Sequence, residues 1–133
     1  MTVPSSGPAI AAIVARLDLI PDHDVIDGEP LDTPQQRYLC VYDQTGVAVR
    51  RKYTGRAGWL YLPVQVSVVT RTLDGLRGSV KAVRDALLDW PPVPGATPLV
   101  EDGTNPILTE GEGNDRRLTA PITLHCYLPP EEN

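Results

Sequence analysis

Histidine and cysteine side chains carry most nucleophilic and metal chemistry in proteins, and this chain has only two of each. One histidine stands in the run Asp22-His23-Asp24, whose residue types resemble a metal or acid–base cluster. Adjacent side chains point apart in a strand, and a site also needs a pocket, so we predict a solvated loop here. The other, His125, falls on the polar face of an alternating segment. We expect it to pair with Tyr38 or Tyr42 and not to act in catalysis.

The two cysteines, Cys40 and Cys126, both lie in apolar runs. Two thiols are too few for a disulfide framework, and free cysteine is among the most buried residue types. No basic residue adjoins either of them to stabilise a reactive thiolate. The sequence therefore predicts two buried free thiols in a reducing compartment, which could be neighbours on adjacent strands.

The remaining polar motifs also lack the spacing of a catalytic or ligand site. The run Gly111-Glu112-Gly113 does not join a strand to a helix and is flanked by acid, so phosphate binding is not expected. The sequence contains no Walker motif, no HExxH and no nucleophile elbow. We predict that the chain is not an enzyme and takes no cofactor or metal. A loose acidic region lacks the spacing of a calcium loop; its members are Glu101, Asp102, Glu110, Glu112 and Asp115.

A basic cluster is the polar feature that stands out. Four of the twelve cations lie within seven residues, in a chain whose formal net charge is −5. The negative total argues against DNA as the main partner, which leaves a solvated loop or a protein–protein contact as the main interpretations. We take the contact as our hypothesis, with the acidic region as its candidate partner. The basic residues and their neighbouring aromatic are Arg50, Arg51, Lys52, Tyr53 and Arg56.

The chain that must position these residues has 133 residues, which predicts one domain over 1–133 with flexible ends at 1–7 and 129–133. Its 41% hydrophobic and 22% charged content is typical of a globular protein. The longest N-terminal apolar stretch, Ala9 to Ala15, is too short to span a bilayer. We therefore expect no membrane segment and no export signal.

Two helices are predicted from apolar spacing. The first starts at Pro8, with Ser6 or Gly7 as its cap. The second runs from about Thr72 to Trp90, and beside its apolar stripe is a line of small residues that would let the first helix approach closely. The stripe consists of Leu73, Leu76, Val80, Val83, Leu87 and Trp90, and the small residues are Gly75, Ser79, Ala82 and Ala86.

Strands are predicted from period-2 alternation and β-branched runs. The two longest are Trp59–Arg71 and Leu118–Leu128, each with one apolar face. Pro63 lacks an N–H, which suggests an edge or a bulge at that end of its strand. Shorter candidates are Val25–Asp27, Arg37–Tyr42, Thr97–Asp102 and Pro106–Thr109, with a possible hairpin arm at Val47–Tyr53. The sequence predicts an α+β fold: a mixed, mostly antiparallel sheet with two helices packed on one face, in the order α-β-β-β-α-β-β-β.

Several short phrases in this order resemble one family of proteins. They are Val25-Ile26-Asp27-Gly28-Glu29-Pro30, Arg37 to Tyr42, Gln65 to Thr70 and Val80 to Leu88. Over about residues 8–128 the chain resembles the minor tail subunits of actinobacterial long-tailed siphophages that act as tail terminators. That family has no enzymatic residues to carry over.

The resemblance implies a structural virion protein at the tail–neck junction, assembled in the host cytoplasm. It would form a homo-hexameric ring that caps the tail tube, stops tube polymerisation and joins the tail to the head connector. The implied partners are copies of itself, the tail tube protein and the connector or neck proteins. Nucleic acid would be met only as the genome passing through the lumen. A head-completion, neck adaptor or stopper protein is the nearest alternative, and a small-ligand module or enzyme is a distant one.

Overall fold

The computed structural model describes residues 2–28, 37–44, 46–49, 57–113 and 116–131. Two helices and seven strands follow one another as two blocks of strands separated by the longer helix. In chain order they are α1 (Gly7–Leu17), β1 (Asp24–Asp27), β2 (Tyr38–Asp43), β3 (Val47–Ala48), β4 (Leu60–Thr70), α2 (Leu73–Leu87), β5 (Val100–Glu101), β6 (Leu108–Glu110) and β7 (Arg117–Leu128).

Helix α1 begins at a predicted cap, and α2 begins at its predicted start. Ser6 is the N-cap of α1, with proline in the first turn, and its carbonyl accepts from Ile10 N at 3.0 Å. At the start of α2, Thr72 Oγ1 accepts from Gly75 N at 3.1 Å, satisfying one of the helix's unpaired amides. The chain leaves α2 at Leu88, which is extended, before the run of prolines that cannot continue a helix.

The sheet is built around the long antiparallel ladder of β4 and β7. Its order is β1-β2-β4-β7-β5, with β3 also paired to β4 and β6 also paired to β7. Among the strands that the structure describes, β1 and β2 are the one parallel pair. This confirms the predicted α+β fold, its mixed and mostly antiparallel sheet, and the element order. The predicted hairpin arm contributes the two-residue strand β3.

Pro63 lies in an interior strand, so of the two predicted alternatives, an edge or a bulge, the edge is wrong. Its neighbour across β7 is His125. On the other side of β4, β2 pairs only as far as Val64 and β3 only from Tyr61, so no partner requires an N–H from Pro63. Pro121 is placed in the same way, between the stretches of β7 that pair with β6 and β5. Prolines are therefore tolerated in both central strands where the outer ladder is interrupted.

One face of the sheet packs against both helices and forms the main core. The predicted alternation of β4 is confirmed, since Leu62, Val66 and Val68 are fully buried. The predicted stripe of α2 is confirmed at its centre, where Val83 is 1% exposed. It is wrong at its start, because Leu73 is 41% exposed in the first turn of the helix. The helix residues buried against the sheet are Ala9, Ile10, Ile13, Leu17, Leu76, Val83 and Leu87.

The opposite face of the sheet is covered by neither of the two described helices and holds a second, smaller cluster. Tyr38, Cys40 and Val69 are buried there beside partly buried Ile26 and Tyr42. This side, called the open face below, is where the polar residues of the alternating strands lie.

Both cysteines are buried free thiols, as predicted. They are not cross-strand neighbours, so that expectation is wrong. Cys40 stands opposite Ser67 on the open face, whereas Cys126 stands opposite Leu62 in the main core. Burial raises the pKa of both thiols, that of Cys126 to about 11. Neither is an activated nucleophile.

The two ends of the described chain lie together. Thr2 and Glu131 exchange two backbone hydrogen bonds, of 3.0 and 2.8 Å, in an isolated antiparallel bridge. Within the described residues, neither helix is long and apolar enough to cross a membrane.

Candidate assembly interface

His23 belongs to a hydrogen-bonded clamp between the α1–β1 turn and α2. Its Nδ1 lies 2.8 Å from Pro21 O, and its Nε2 lies 2.6 Å from Ser79 Oγ. A carbonyl only accepts, so Nδ1 carries the proton and Nε2 accepts from the serine hydroxyl. The groups are those of a serine–histidine dyad, but Ser79 is only 2% exposed and its hydroxyl is not offered to a substrate. Asp22 and Asp24 are exposed, as predicted for a solvated loop, but that prediction is wrong for His23, which is partly buried, and Asp24 is the first residue of β1.

His125 pairs with Asp102 and not with Tyr38 or Tyr42, so the predicted pairing is wrong. Its Nδ1 lies 2.7 Å from Asp102 Oδ1. The Asp102 backbone is itself fixed to β7, where its N–H donates to Thr123 O and its carbonyl accepts from Thr123 Oγ1. Tyr61 adds a ring centroid 5.4 Å from that of His125. The pair is thus a structural element of the open face.

Tyr61, His125 and Tyr127 form an aromatic trio on the open face. The second and third centroid distances are 5.4 Å for the two tyrosines and 6.0 Å for His125 and Tyr127. Desolvation and the nearby Asp102 carboxylate raise the pKa of Tyr61. Neither of the two grooves that flank α2 is lined by the trio. Among the described residues, no group of three histidine, cysteine or carboxylate side chains could hold a metal.

The basic cluster itself, Arg50 to Arg56, lies outside the described residues, but its two anchors are defined. Val49 N donates to Trp59 O at 2.8 Å, and Gly58 N donates to Val49 O at 2.9 Å. This hairpin leads into β4. Gly46 precedes it with a φ of +77°, and a Cβ there would lie 2.6 Å from Tyr61 O, so the turn into β3 requires glycine.

The predicted acidic region divides into two parts. Glu101 is held by Arg84 of α2, with Nη2 to Oε1 at 2.9 Å, and Asp102 is held by His125. Glu110 and Glu112 are exposed at the β6–β7 turn, while Asp115 lies outside the described residues. Glu101 and Asp102 have partners within the chain. The exposed carboxylates of the turn, Glu110 and Glu112, are therefore the ones that remain available for a contact.

The anchors of the basic cluster and the β6–β7 turn lie at opposite ends of the β4–β7 ladder. Leu60, close to the anchors Val49 and Gly58, pairs with Leu128, whereas Thr70 pairs with Leu118, next to the acidic turn. At about 3.3 Å per residue, the eleven residues of β4 separate the two ends by roughly 35 Å. The anchors of the basic cluster and the exposed carboxylates of the acidic turn therefore lie far apart within one copy.

The acidic end also carries a second group of carboxylates, which the sequence did not assign to an interface. The α1–β1 turn leads into β1, whose first residue stands beside Tyr38 in β2, and Tyr38 stands opposite Val69 near the end of β4. This places Asp18, Asp22 and Asp24 at the end that also holds Glu110 and Glu112. The signal that could have found them is the concentration of aspartate around an apolar turn.

The chain matches no protein-family model and no curated protein sequence. Its fold does match solved structures. One is a chain described as "Virion of native gene transfer agent (GTA) particle", with a TM-score of 0.67 over 93% of this chain and 96% of that chain. The two sequences are 14% identical, so this similarity shows a shared fold.

Proposed function

We propose that this chain is a structural subunit of a phage-like virion, and specifically a tail terminator. It would form a homo-hexameric ring that caps the tail tube, stops tube polymerisation and joins the tail to the head connector. The observation that carries the proposal is the fold, which is shared over nearly the whole length of both chains with a subunit of a gene transfer agent virion. The sequence phrases that resemble tail terminators supply the finer assignment.

The chemistry of the described residues supports a role in assembly. The hydroxyl of the serine–histidine pair is buried and the thiols are held protonated at neutral pH, while one long face of the sheet is not covered by either described helix. A subunit of a ring needs two different complementary patches, because the contact is heterologous. The acidic end of this chain and the anchors of its basic cluster lie at opposite ends of β4, which suits such a contact.

The basic cluster Arg50, Arg51, Lys52, Tyr53 and Arg56 is proposed as one contact surface. Its partner is either the next subunit, through Glu110, Glu112 and Asp115, or the tube. Each exposed ion pair contributes only about 0.2–1 kcal/mol, so the cluster acts as a group. Six identical contacts on one tube end would add together, so single subunits could be monomeric and yet assemble on a tube. Glu101 and Asp102 take part only if they exchange their partners within the chain.

Tube length tests the proposed function. Tail tubes assembled without this chain should grow past their normal length, and adding the purified chain should stop their growth. If tubes reach normal length without it while filled heads fail to join tails, the chain is a neck adaptor or stopper and the terminator assignment is wrong.

Averaged images of the tail top test the stoichiometry. The ring made by this subunit should have six-fold symmetry. Five-fold or twelve-fold symmetry for the same density would contradict the proposed hexamer.

A further inference from the structure

Helix α2 separates two surface features that the proposed function has not used. One flank of the helix, with Gly75, Ser79 and Ala82, faces the α1–β1 turn. The other flank, with Arg77, Val80 and Lys81, lines a groove against the far edge of the sheet. Residues at these positions lie about half a turn apart around an α-helix. The turn and the groove are therefore on opposite sides of one element.

The groove is a cavity of about 500 Å³ between α2, the segment before β6 and the middle of β7. Its lining is apolar where Leu76, Val80 and Ile122 meet, and Ile107 closes one side while remaining 48% exposed. Arg77 and Lys81 stand among its lining residues on α2. Two carboxylates also line the groove, but both are paired there, Asp85 with Lys81 and Glu101 with Arg84. The groove thus offers an apolar floor with cations beside it.

The α1–β1 turn presents the complementary features. Leu19 is 80% exposed, more than any other large hydrophobic residue in the described part of the chain. Asp18, Asp22 and Asp24 lie within five residues of it along the chain and are exposed, and no ion pair joins them to described residues. The turn is held in place from beneath by buried Leu17 and by the bond from Ser79 to His23. It is a fixed apolar knob with acidic flanks.

We propose that Leu19 of one copy of this chain docks into the α2 groove of the next copy. The apolar side chain leaves water for the floor of the groove, and the aspartates approach Arg77 and Lys81. Because the knob and the groove lie on opposite sides of α2, a copy cannot fill its own groove. The contact is therefore head-to-tail, as a closed ring or an open filament requires.

The cations beside the groove can accept this partner at small cost. Arg77 lies 3.8 Å from Asp74, and Lys81 lies 2.5 Å from Asp85, but all four side chains are at least 64% exposed. Exposed pairs of this kind contribute little to stability, so an incoming carboxylate can replace them. The knob is the centre of an interface and not its whole area, since stable contacts bury more surface than one turn supplies.

Paired cysteines test the contact directly. The Leu19→Cys and Ile107→Cys variants are purified separately, mixed and oxidised, both as isolated protein at high concentration and in assembled particles. A disulfide-linked dimer is expected in the mixture and in neither variant alone, and its yield should fall as salt rises. Cys40 and Cys126 are 1% and 0% exposed, so the native thiols remain silent. Ala11→Cys, at an exposed residue of α1 eight residues before Leu19, replaces Leu19→Cys as the matched control and should give no dimer with Ile107→Cys.

The possible outcomes test this contact separately from the proposed ring. The inference rests on the proposed self-assembly, but it fails alone if six-fold rings form normally and the Leu19→Cys and Ile107→Cys variants never link. It also fails if the Ile107→Cys thiol is shielded from maleimide in particles but unlinked, because another protein then fills the groove. A variant that carries both Leu19→Cys and Ile107→Cys can link to two neighbours. If it links into open chains of no fixed length, the contact is correct and the closed hexamer is wrong.

Discussion

The side chains on the two faces of the β4–β7 sheet are held in place by different interactions. On the helix side, Leu62 and Val66 are buried by apolar packing against α1 and α2. On the open face, the next residues along the same strand, such as Tyr61 and Gln65, are held by ring contacts and by a 3.0 Å hydrogen bond from Gln65 Nε2 to Ser67 Oγ. Apolar packing stabilises the fold by removing surface from water. Polar and aromatic groups satisfied in this way can also exchange partners, so the open face can take part in assembly.

The largest difference between the faces should appear at Val83, which is 1% exposed where α2 meets the sheet. Val83→Asp buries an unpaired charge and should lower the free energy of unfolding by about 3–5 kcal/mol. Arg77→Asp, on the exposed side of the same helix, is the control and should change it by less than about 0.5 kcal/mol. Urea denaturation measures both. A Val83→Asp variant that melts with the parent would show that the helix does not cover this face.

The thiol of Cys126, in the main core on the helix side of the sheet, should make the free energy of unfolding fall at alkaline pH. Burial raises the pKa of Cys126 from 9.0 to about 11, so the unfolded chain releases its thiol proton first. Stability is therefore complete below pH 9 and declines as pH rises towards 11, by about 2–3 kcal/mol for this thiol. Tyr61, whose pKa is also raised, adds a loss of the same sign. Comparing Cys126→Ala with the parent by urea denaturation at pH 8 and pH 11 isolates the thiol: the variant should lose less stability over this interval.

A smaller effect is expected on the open face at Tyr61. Tyr61→Ala removes two ring contacts of 5.4 Å and should lower the free energy of unfolding by about 1–2 kcal/mol. Tyr61→Phe keeps the rings and should stay within about 0.5 kcal/mol of the parent. A loss for Tyr61→Ala as large as that for Val83→Asp would mean that the two faces contribute equally to the fold.

The fold could be predicted from the sequence because apolar residues recur at a regular spacing within each long element. The alternation of β4 and β7 and the stripe of α2 predict which face is buried without any long-range information. The prediction failed where the answer depends on a neighbouring strand. Taken alone, Pro63 indicates an edge strand. In the structure its missing N–H is not needed, because the ladder from β4 to β2 and β3 is interrupted at that position.

The candidate site could be predicted only in part, because its partners are far apart in sequence. Nothing local indicates that Asp102 is held by His125, or that Glu101 is held by Arg84, since the chain must pass through loops to bring them together. The basic cluster was visible as composition, but the position of its anchors, Val49 and Gly58, at one end of the sheet follows from the register of β4. The turn around Leu19 was missed because an exposed leucine has no signature until burial is known.

The smallest expected effect on stability, and the sharpest on assembly, belongs to the basic cluster. Reversing Arg50, Arg51 and Lys52 to glutamate leaves both faces of the sheet intact, so the melting temperature should stay nearly unchanged. Ring formation or tube capping should be blocked, because the cluster would then repel the acidic partner that it is proposed to meet. Glu110→Lys with Glu112→Lys is the complementary variant, and combining it with the triple reversal should restore part of the activity if the contact is between subunits. Tube-capping assays at low and high salt measure the effect. If the triple variant caps tubes as well as the parent at both salt concentrations, the cluster is a solvated loop.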